Sequence, residues 1–98
     1  MTSTAPATDF VAECFCPGVD EAAVRELDAR AGASAAELAE TGEPVRYLGS
    51  ILMLEDEVVL CLFAGGEQAV RRVVEQAEIP SDRIVAATGS PWPVPTTA

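Results

Sequence analysis

The chain has 98 residues, enough for one domain with a modest hydrophobic core. Hydrophobic side chains make up 49% of it and aromatic ones only 5%, so small aliphatic residues must fill the interior. The 16 acidic and 6 basic residues give a formal net charge of −10, which disfavours binding to nucleic acids and to anionic membranes because both are negatively charged.

Residues 1–9 are mostly threonine, alanine, serine and proline, and they predict a flexible leader. They contain no basic stretch followed by an apolar one, so they do not resemble a secretory signal. No apolar run reaches the roughly 18 residues that a membrane-spanning helix needs. The three cysteines fit free thiols in a reducing compartment, and together these features predict a cytoplasmic protein.

A short apolar segment, residues 10–16, predicts the first strand, which stops at Pro17. The segment of residues 17–42 predicts the helix that follows. Asp20 is a suitable N-cap, because its side chain can accept a hydrogen bond from a free amide of the first turn. Apolar residues then recur at helical spacing, namely Val24, Leu27, Ala31, Ala35 and Leu38.

Two more strands and a second helix follow. Residues 44–54 and 58–64 predict strands joined by an acidic turn, and residues 65–79 predict a helix with small apolar residues on one face. Residues 82–88 predict the last strand. The proline-rich tail, residues 89–98, cannot continue a sheet.

This β-α-β-β-α-β order is the ferredoxin-like pattern. It predicts an α+β domain over residues 10–88, with a four-stranded antiparallel sheet and both helices on one face. Both faces of the sheet are nevertheless apolar. In the third strand the alternating sets are Val58, Leu60 and Leu62 against Val59, Cys61 and Phe63. In the second strand, strict alternation separates Leu48 and Leu52 from Tyr47, Ile51 and Met53.

The face that the helices leave open needs a partner. A second copy packed sheet to sheet would cover it, which predicts a homodimer of the dimeric α/β-barrel type. The alternative is that the tail, through Trp92 and Val94, folds over the same face.

Glu13 is the one charge in the first strand. One alternating set of this strand is small or apolar and matches the helix-covered core, namely Phe10, Ala12, Cys14 and Cys16. The other set, with Glu13, then lies on the open face. Alternation also assigns Cys61 to the face of Glu13. A thiol beside a carboxylate could ligate a metal, or act as an acid or a nucleophile on a small substrate. Alternatively, Glu13 bonds to Tyr47 or Ser50 and Cys61 is inert packing.

Two other features have structural explanations. Cys14 and Cys16 point the same way on a strand and fit core packing better than a zinc site, since a closed zinc site needs four ligands and the chain has no histidine. Gly65 and Gly66 precede a helix without the spacing of a phosphate loop, so they predict a turn.

Several segments resemble a small ferredoxin-like family, a domain of unknown function whose members include nickel-binding proteins. The segments are the Pro-Gly after the first strand, "VRYLGS", the cysteine of the third strand and "AVRRVVEQAEIPSDRIVAA". The resemblance covers roughly residues 10–88. It implies a homodimeric α/β barrel and nickel binding in some members, with Glu13, Ser50 and Cys61 as the positions that correspond. The chain keeps the family's aromatic residue as Tyr47 but lacks its histidines, which nickel favours as ligands.

Three functions are consistent with the sequence. The first is a homodimeric binding protein that uses Glu13 and Cys61 for a divalent metal, nickel or zinc, or uses Glu13, Tyr47, Ser50 and Cys61 for another ligand. The second is a cofactor-independent enzyme of the oxygenase or isomerase type, or a binder of an organic ligand, by analogy with dimeric α/β barrels. The third is an interaction module without a site.

Overall fold

The computed structural model describes residues 9–87. In chain order they form β1 (Asp9–Phe15), α1 (Glu21–Glu40), β2 (Val45–Met53), β3 (Val58–Gly65), α2 (Glu67–Gln76) and β4 (Arg83–Ala87). The strands make one antiparallel sheet in the order β2-β3-β1-β4, and the two helices contact each other and cover one face of it. The predicted ferredoxin-like α+β fold is confirmed. The predicted leader and tail lie outside the described residues, except for Asp9, which begins β1.

Local signals explain where the helices begin and how they are joined. The Asp20 carboxylate accepts a hydrogen bond from the Ala23 amide at 2.9 Å, and α1 then continues without a break to Glu40. The Arg30 side chain donates to the Ala77 carbonyl oxygen at 2.8 Å, where the last carbonyl groups of α2 have no partner within the helix. This contact fixes the end of α2 against α1. No helix within residues 9–87 is both long and apolar enough to cross a membrane.

The helix-covered face of the sheet forms the core. In the β1–β3 register Phe10 pairs with Phe63, Ala12 with Cys61 and Cys14 with Val59. All six of these side chains are buried. The helices contribute the apolar faces expected from their periodicity, with Leu27, Ala31, Ala35 and Leu38 from α1 and Ala69, Val70, Val73 and Val74 from α2. The prediction that Phe10, Ala12 and Cys14 form the core side of β1 is confirmed.

The opposite face carries rows of residues that run across the strands. One row is Met53, Val58 and Phe15; the next is Ile51, Leu60, Glu13 and Arg83; the next is Gly49, Leu62, Val11 and Val85. The large apolar side chains of this open face are partly in solvent, with Phe15 56% and Met53 40% exposed. Neither helix covers this face, as the sequence predicts.

A bulge in β2 changes which of its residues face the helices. Tyr47 pairs with Phe63, but Gly49 rather than Leu48 pairs with Leu62, so Leu48 is an extra residue in the ladder. Gly49 has a φ of 130°, a conformation that residues with a side chain rarely adopt. Tyr47 therefore lies on the helix side, and its assignment to the same face as Ile51 and Met53 is wrong.

Candidate functional site

A polar cluster lies between α1 and the sheet. The Tyr47 hydroxyl donates a hydrogen bond to Oδ1 of Asp28 on α1 at 2.5 Å, and the Tyr47 ring packs against Phe63 with ring centroids 5.1 Å apart. Ser50 pairs with Cys61 in the β2–β3 register, which places Ser50 on the same face of the sheet as Tyr47. The bulge at Leu48 creates this arrangement, because strict alternation would put Tyr47 on one face and Ser50 on the other.

The environment of Tyr47 keeps its hydroxyl protonated. Burial raises the pKa of Tyr47 well above its ordinary value of 10.0, and the hydrogen bond to Asp28 raises it further. Burial disfavours the phenolate because it removes water from the charge. Loss of the hydroxyl proton would also remove the hydrogen bond that Tyr47 donates to the Asp28 carboxylate. Tyr47 thus acts as a hydrogen-bond donor, and its acceptor is Asp28.

Two thiols lie beneath the cluster. Cys14 and Cys61 are both fully buried, and neither is in a disulfide. A hydrogen bond with Cys61 raises the pKa of Cys14, and burial adds to the effect; the same hydrogen bond lowers the pKa of Cys61, which burial opposes. Because the two thiols influence each other in this way, ionisation of one makes ionisation of the other harder.

An open cavity of about 340 Å³ reaches the cluster from the surface. It is lined by Glu21, Val24, Arg25, Asp28, Ser50, Leu52 and Leu54. Asp28 and Ser50 link the cavity to the cluster, because Asp28 holds the Tyr47 hydroxyl and Ser50 adjoins Cys61. Val24, Leu52 and Leu54 make its apolar wall. The cleft thus combines an apolar wall with convergent polar groups, a combination that small-molecule sites use.

A second cavity, of about 390 Å³, lies in the groove between α1 and α2. Its polar side chains are engaged in structural contacts: the Ser34 hydroxyl donates to Oε1 of Gln76 at 2.7 Å, and Arg30 binds the end of α2. These contacts join the two helices. This groove is therefore weaker as a ligand site than the cavity beside Asp28, although it is slightly larger.

Glu13 lies on the open face, as predicted, but its surroundings differ from the prediction. Nε of Arg83 on β4 binds Oε1 of Glu13 at 2.8 Å, and Nη2 of Arg83 lies 3.3 Å from Oε2. The Glu13 side chain remains 34% exposed. Neither Tyr47 nor Ser50 contacts it, since both lie on the helix side.

The predicted pairing of Glu13 with Cys61 is wrong. The register of β1 and β3 places Glu13 opposite Leu60, and Cys61 opposite Ala12. A displacement of one residue moves a side chain to the other face of a sheet. Of the four candidate ligand residues, the structure brings together Tyr47, Ser50 and Cys61 and excludes Glu13.

The metal that the resemblance implies does not fit the described residues of this chain. Within residues 9–87, no group of three or more histidine, cysteine, aspartate or glutamate side chains is arranged to hold a metal ion. Glu13 and Cys61 cannot share an ion across the sheet because they project from opposite faces. No chemical step is therefore assigned to nickel or zinc here.

Sequence reasoning missed Asp28 and Arg83. Asp28 follows Leu27 at the edge of the apolar face of α1, a position that also suits a solvated charge. Gly49 inside a strand was the available signal, because a glycine there often marks a bulge. A bulge shifts Tyr47 to the helix side, where a polar partner on α1 becomes necessary. Arg83 could be linked to Glu13 only through the β1–β4 register.

Comparison with known proteins gives a structural likeness. No family model matches the chain, and no curated protein does. The crystal structure of SCO4226 from Streptomyces coelicolor A3(2) matches 85% of this chain and 99% of that one, with a TM-score of 0.65 and 20% sequence identity. At that identity, a shared fold is what the likeness with SCO4226 shows.

Proposed function

We propose that the chain is a small, homodimeric ligand-binding protein that holds an organic molecule in the cleft between α1 and β2. The observation that carries this proposal is the contact of Asp28 with Tyr47 beside an open cavity that has both apolar and polar lining residues. Buried polar groups cost free energy unless they have hydrogen-bond partners. A cluster of them beside a cavity can find those partners within the protein or in a bound ligand. The three free thiols support a reducing, cytoplasmic setting.

The lining of the cleft indicates the kind of ligand. Glu21 and Asp28 supply carboxylates, whereas Arg25 supplies one guanidinium. Val24 and Leu52 supply apolar contact. This composition suits a small molecule with an apolar body and a hydrogen-bond donor or a positive charge that faces Asp28. A strongly anionic ligand would be repelled by the two carboxylates.

Binding is better supported than acid–base catalysis. The pKa of Tyr47 is raised, so Tyr47 is a poor general base near neutral pH. The chain has no histidine to take that role. The oxygenase or isomerase alternative would have to rely on Asp28 and Cys61, and Cys61 is fully buried. An interaction module without a site is also less favoured, because the cleft is open rather than filled.

The homodimer is the second part of the proposal. The open face presents apolar side chains from all four strands, among them Phe15, Ile51 and Met53, which are 37–56% exposed. Contiguous apolar surface of this kind marks an interaction site in a soluble domain. A second copy packed sheet to sheet covers it, and the α1–β2 cleft of each subunit stays accessible on the far side.

Membership of the nickel-binding family stays a proposal with weaker support. A calorimetric titration of tag-free protein with nickel and with zinc tests it directly. If Cys61 or Glu13 is a ligand, Cys61→Ala or Glu13→Gln must weaken the binding. If wild type binds the metal and both variants bind it equally well, the metal is held by other residues. No binding by the wild type would reject the metal function and leave the organic-ligand proposal standing.

The ligand proposal is tested by a screen of small amine-containing and neutral aromatic fragments, using nitrogen–proton correlation NMR. We expect the hits to shift the amide signals of Val24, Asp28 and Ser50. Asp28→Asn keeps a hydrogen-bond acceptor for Tyr47 but removes the charge, so it should weaken amine-containing hits by about tenfold, or 1.4 kcal/mol.

The matched control is Ser34→Ala, which removes a polar contact in the other cavity. It should leave the affinity of the same fragments unchanged. Hits that map to the open face or the α1–α2 groove, or that bind Asp28→Asn as tightly as wild type, would contradict the proposed site.

A further inference from the structure

The open face is electrically neutral although the chain is strongly acidic. Within residues 9–87, the strands place four charged side chains on this face, Asp9 and Glu13 on β1, Arg46 on β2 and Arg83 on β4. Two are negative and two are positive, whereas the whole chain has a formal net charge of −10. Two of these surfaces can therefore approach each other without the repulsion that acts between other parts of two copies.

Glu13 and Arg83 form an ion pair in the apolar part of that face. They sit in the same row as Ile51 and Leu60, and the two side chains make two contacts, of 2.8 and 3.3 Å. Arg83 is still 68% exposed. A guanidinium has five N–H donors, so Arg83 keeps donors that a further carboxylate could use.

We propose that Glu13 and Arg83 are the self-recognition element of the open face, and that its partner is a second copy of this chain. In the dimer, which this inference takes from the proposed function, each Glu13 carboxylate also meets Arg83 of the partner subunit. The two intrachain pairs then become one network of four alternating charges about the two-fold axis. Within this network the charges of Glu13 and Arg83 are all paired, which reduces the cost of burying them.

The charge pattern favours a second copy over a different partner. An isologous interface brings one patch against itself, so the patch must complement itself. A neutral face with one adjacent plus–minus pair meets this requirement, because the antiparallel arrangement of two such pairs is attractive. A face that recognises an acidic or basic partner would carry an excess of one sign.

Two charge reversals test the inference by sedimentation equilibrium. Glu13→Arg replaces the negative charge of each open face at this position by a positive one, and Arg83→Glu replaces a positive charge by a negative one. We expect wild type to be a dimer and each variant alone to dimerise at least about a hundredfold more weakly, because like charges then meet at the axis. A one-to-one mixture of the two variants should form a heterodimer with close to wild-type affinity.

Two further variants keep the test decisive. The double variant with Glu13→Arg and Arg83→Glu in one chain restores both pairs, so it should dimerise like wild type. Arg71→Glu reverses a charge on the exposed side of α2, where Arg71 contacts Glu67, and should leave dimerisation unchanged. Circular dichroism confirms that each variant is folded, which is expected since both side chains of the pair reach solvent.

The outcomes separate this inference from the dimer itself. A monomeric wild type would overturn both and would mean that another occupant, such as the chain's own residues 88–98, covers the face. A wild-type dimer whose single reversals dimerise normally would overturn the role of the pair alone. Weakened single variants that fail to form the heterodimer would also overturn it, because the charges would then act within one subunit.

Discussion

Replacement of Gly65 by alanine should lower the free energy of unfolding by at least about 2 kcal/mol. Gly65 ends β3 with a φ of 139°, where a residue with a side chain is strained. A Cβ atom there would lie 2.7 Å from the carbonyl oxygen of Pro44 and 3.0 Å from Cα of Val45. Both are backbone atoms, so the start of β2 would have to move. Urea denaturation monitored by circular dichroism measures the loss.

Gly66→Ala is the matched control for this change. A Cβ atom on Gly66 would meet nothing within 4 Å, and its φ of −78° is an ordinary conformation. Gly66 precedes the first residue of α2, where alanine is a poorer cap than glycine, so a loss of up to about 1 kcal/mol is expected. Equal effects of the two substitutions would show that β2 and β3 do not approach each other as described.

Phe63→Ala should destabilise the protein by about 3–5 kcal/mol. Phe63 is fully buried on β3, between Phe10 of β1 and Tyr47 of β2. Its removal deletes a large apolar contact and leaves a cavity in a small core. Because domains of this size are stable by only about 5–15 kcal/mol, this loss is a large part of the total stability. Thermal denaturation measures the change.

Phe15→Ala makes the same substitution on the open face. Phe15 is 56% exposed in the single chain, so its truncation should cost the monomer less than about 1 kcal/mol. Its effect should grow with protein concentration, since Phe15 lies in the interface of the proposed dimer. The effect of Phe63→Ala should not depend on concentration. A small loss of stability in Phe63→Ala at every protein concentration would contradict the packing of β3 beneath the helices.

The fold could be predicted from the sequence because its signals are local. Helical periodicity, the Asp20 cap and the apolar strands define the element order, and β-α-β-β-α-β leaves few topologies. The core side of β1 could also be assigned, since Ala12 and Cys14 are small and apolar whereas Glu13 is charged. Both faces of β3 are apolar, however, so alternation within β3 cannot say which set faces the helices. That ambiguity led to the misplacement of Cys61.

The site could be predicted only in part because it depends on register. Tyr47, Ser50 and Cys61 were candidates, but the bulge at Leu48 decides that Tyr47 and Ser50 share the helix side, and the β1–β3 register places Cys61 there too. Asp28 comes from a different element and is indistinguishable in sequence from a solvated charge. Arg83 lies 70 residues from Glu13, and the pairing of β1 with β4 joins them. Contacts of this kind arise from the tertiary structure rather than from any local pattern.

The proposed site depends on Tyr47 lying beneath α1 with its proton held by Asp28. In the unfolded chain Tyr47 ionises near its ordinary pKa of 10.0, whereas burial raises its pKa in the folded state. Below pH 10 the hydroxyl is protonated in both states, and the stability that depends on it is complete. As the pH rises above 10, the unfolded state loses its proton first, so this stability is lost progressively.

Spectrophotometric titration can follow this hydroxyl without ambiguity, because Tyr47 is the only tyrosine in the chain. Tyrosinate absorbance and circular dichroism are recorded together as the pH is raised. We expect no tyrosinate near pH 10 while the protein is folded, and a signal that appears only at higher pH or together with unfolding. A titration centred near the ordinary value of 10.0, with the circular dichroism unchanged, would place Tyr47 in solvent and contradict the site.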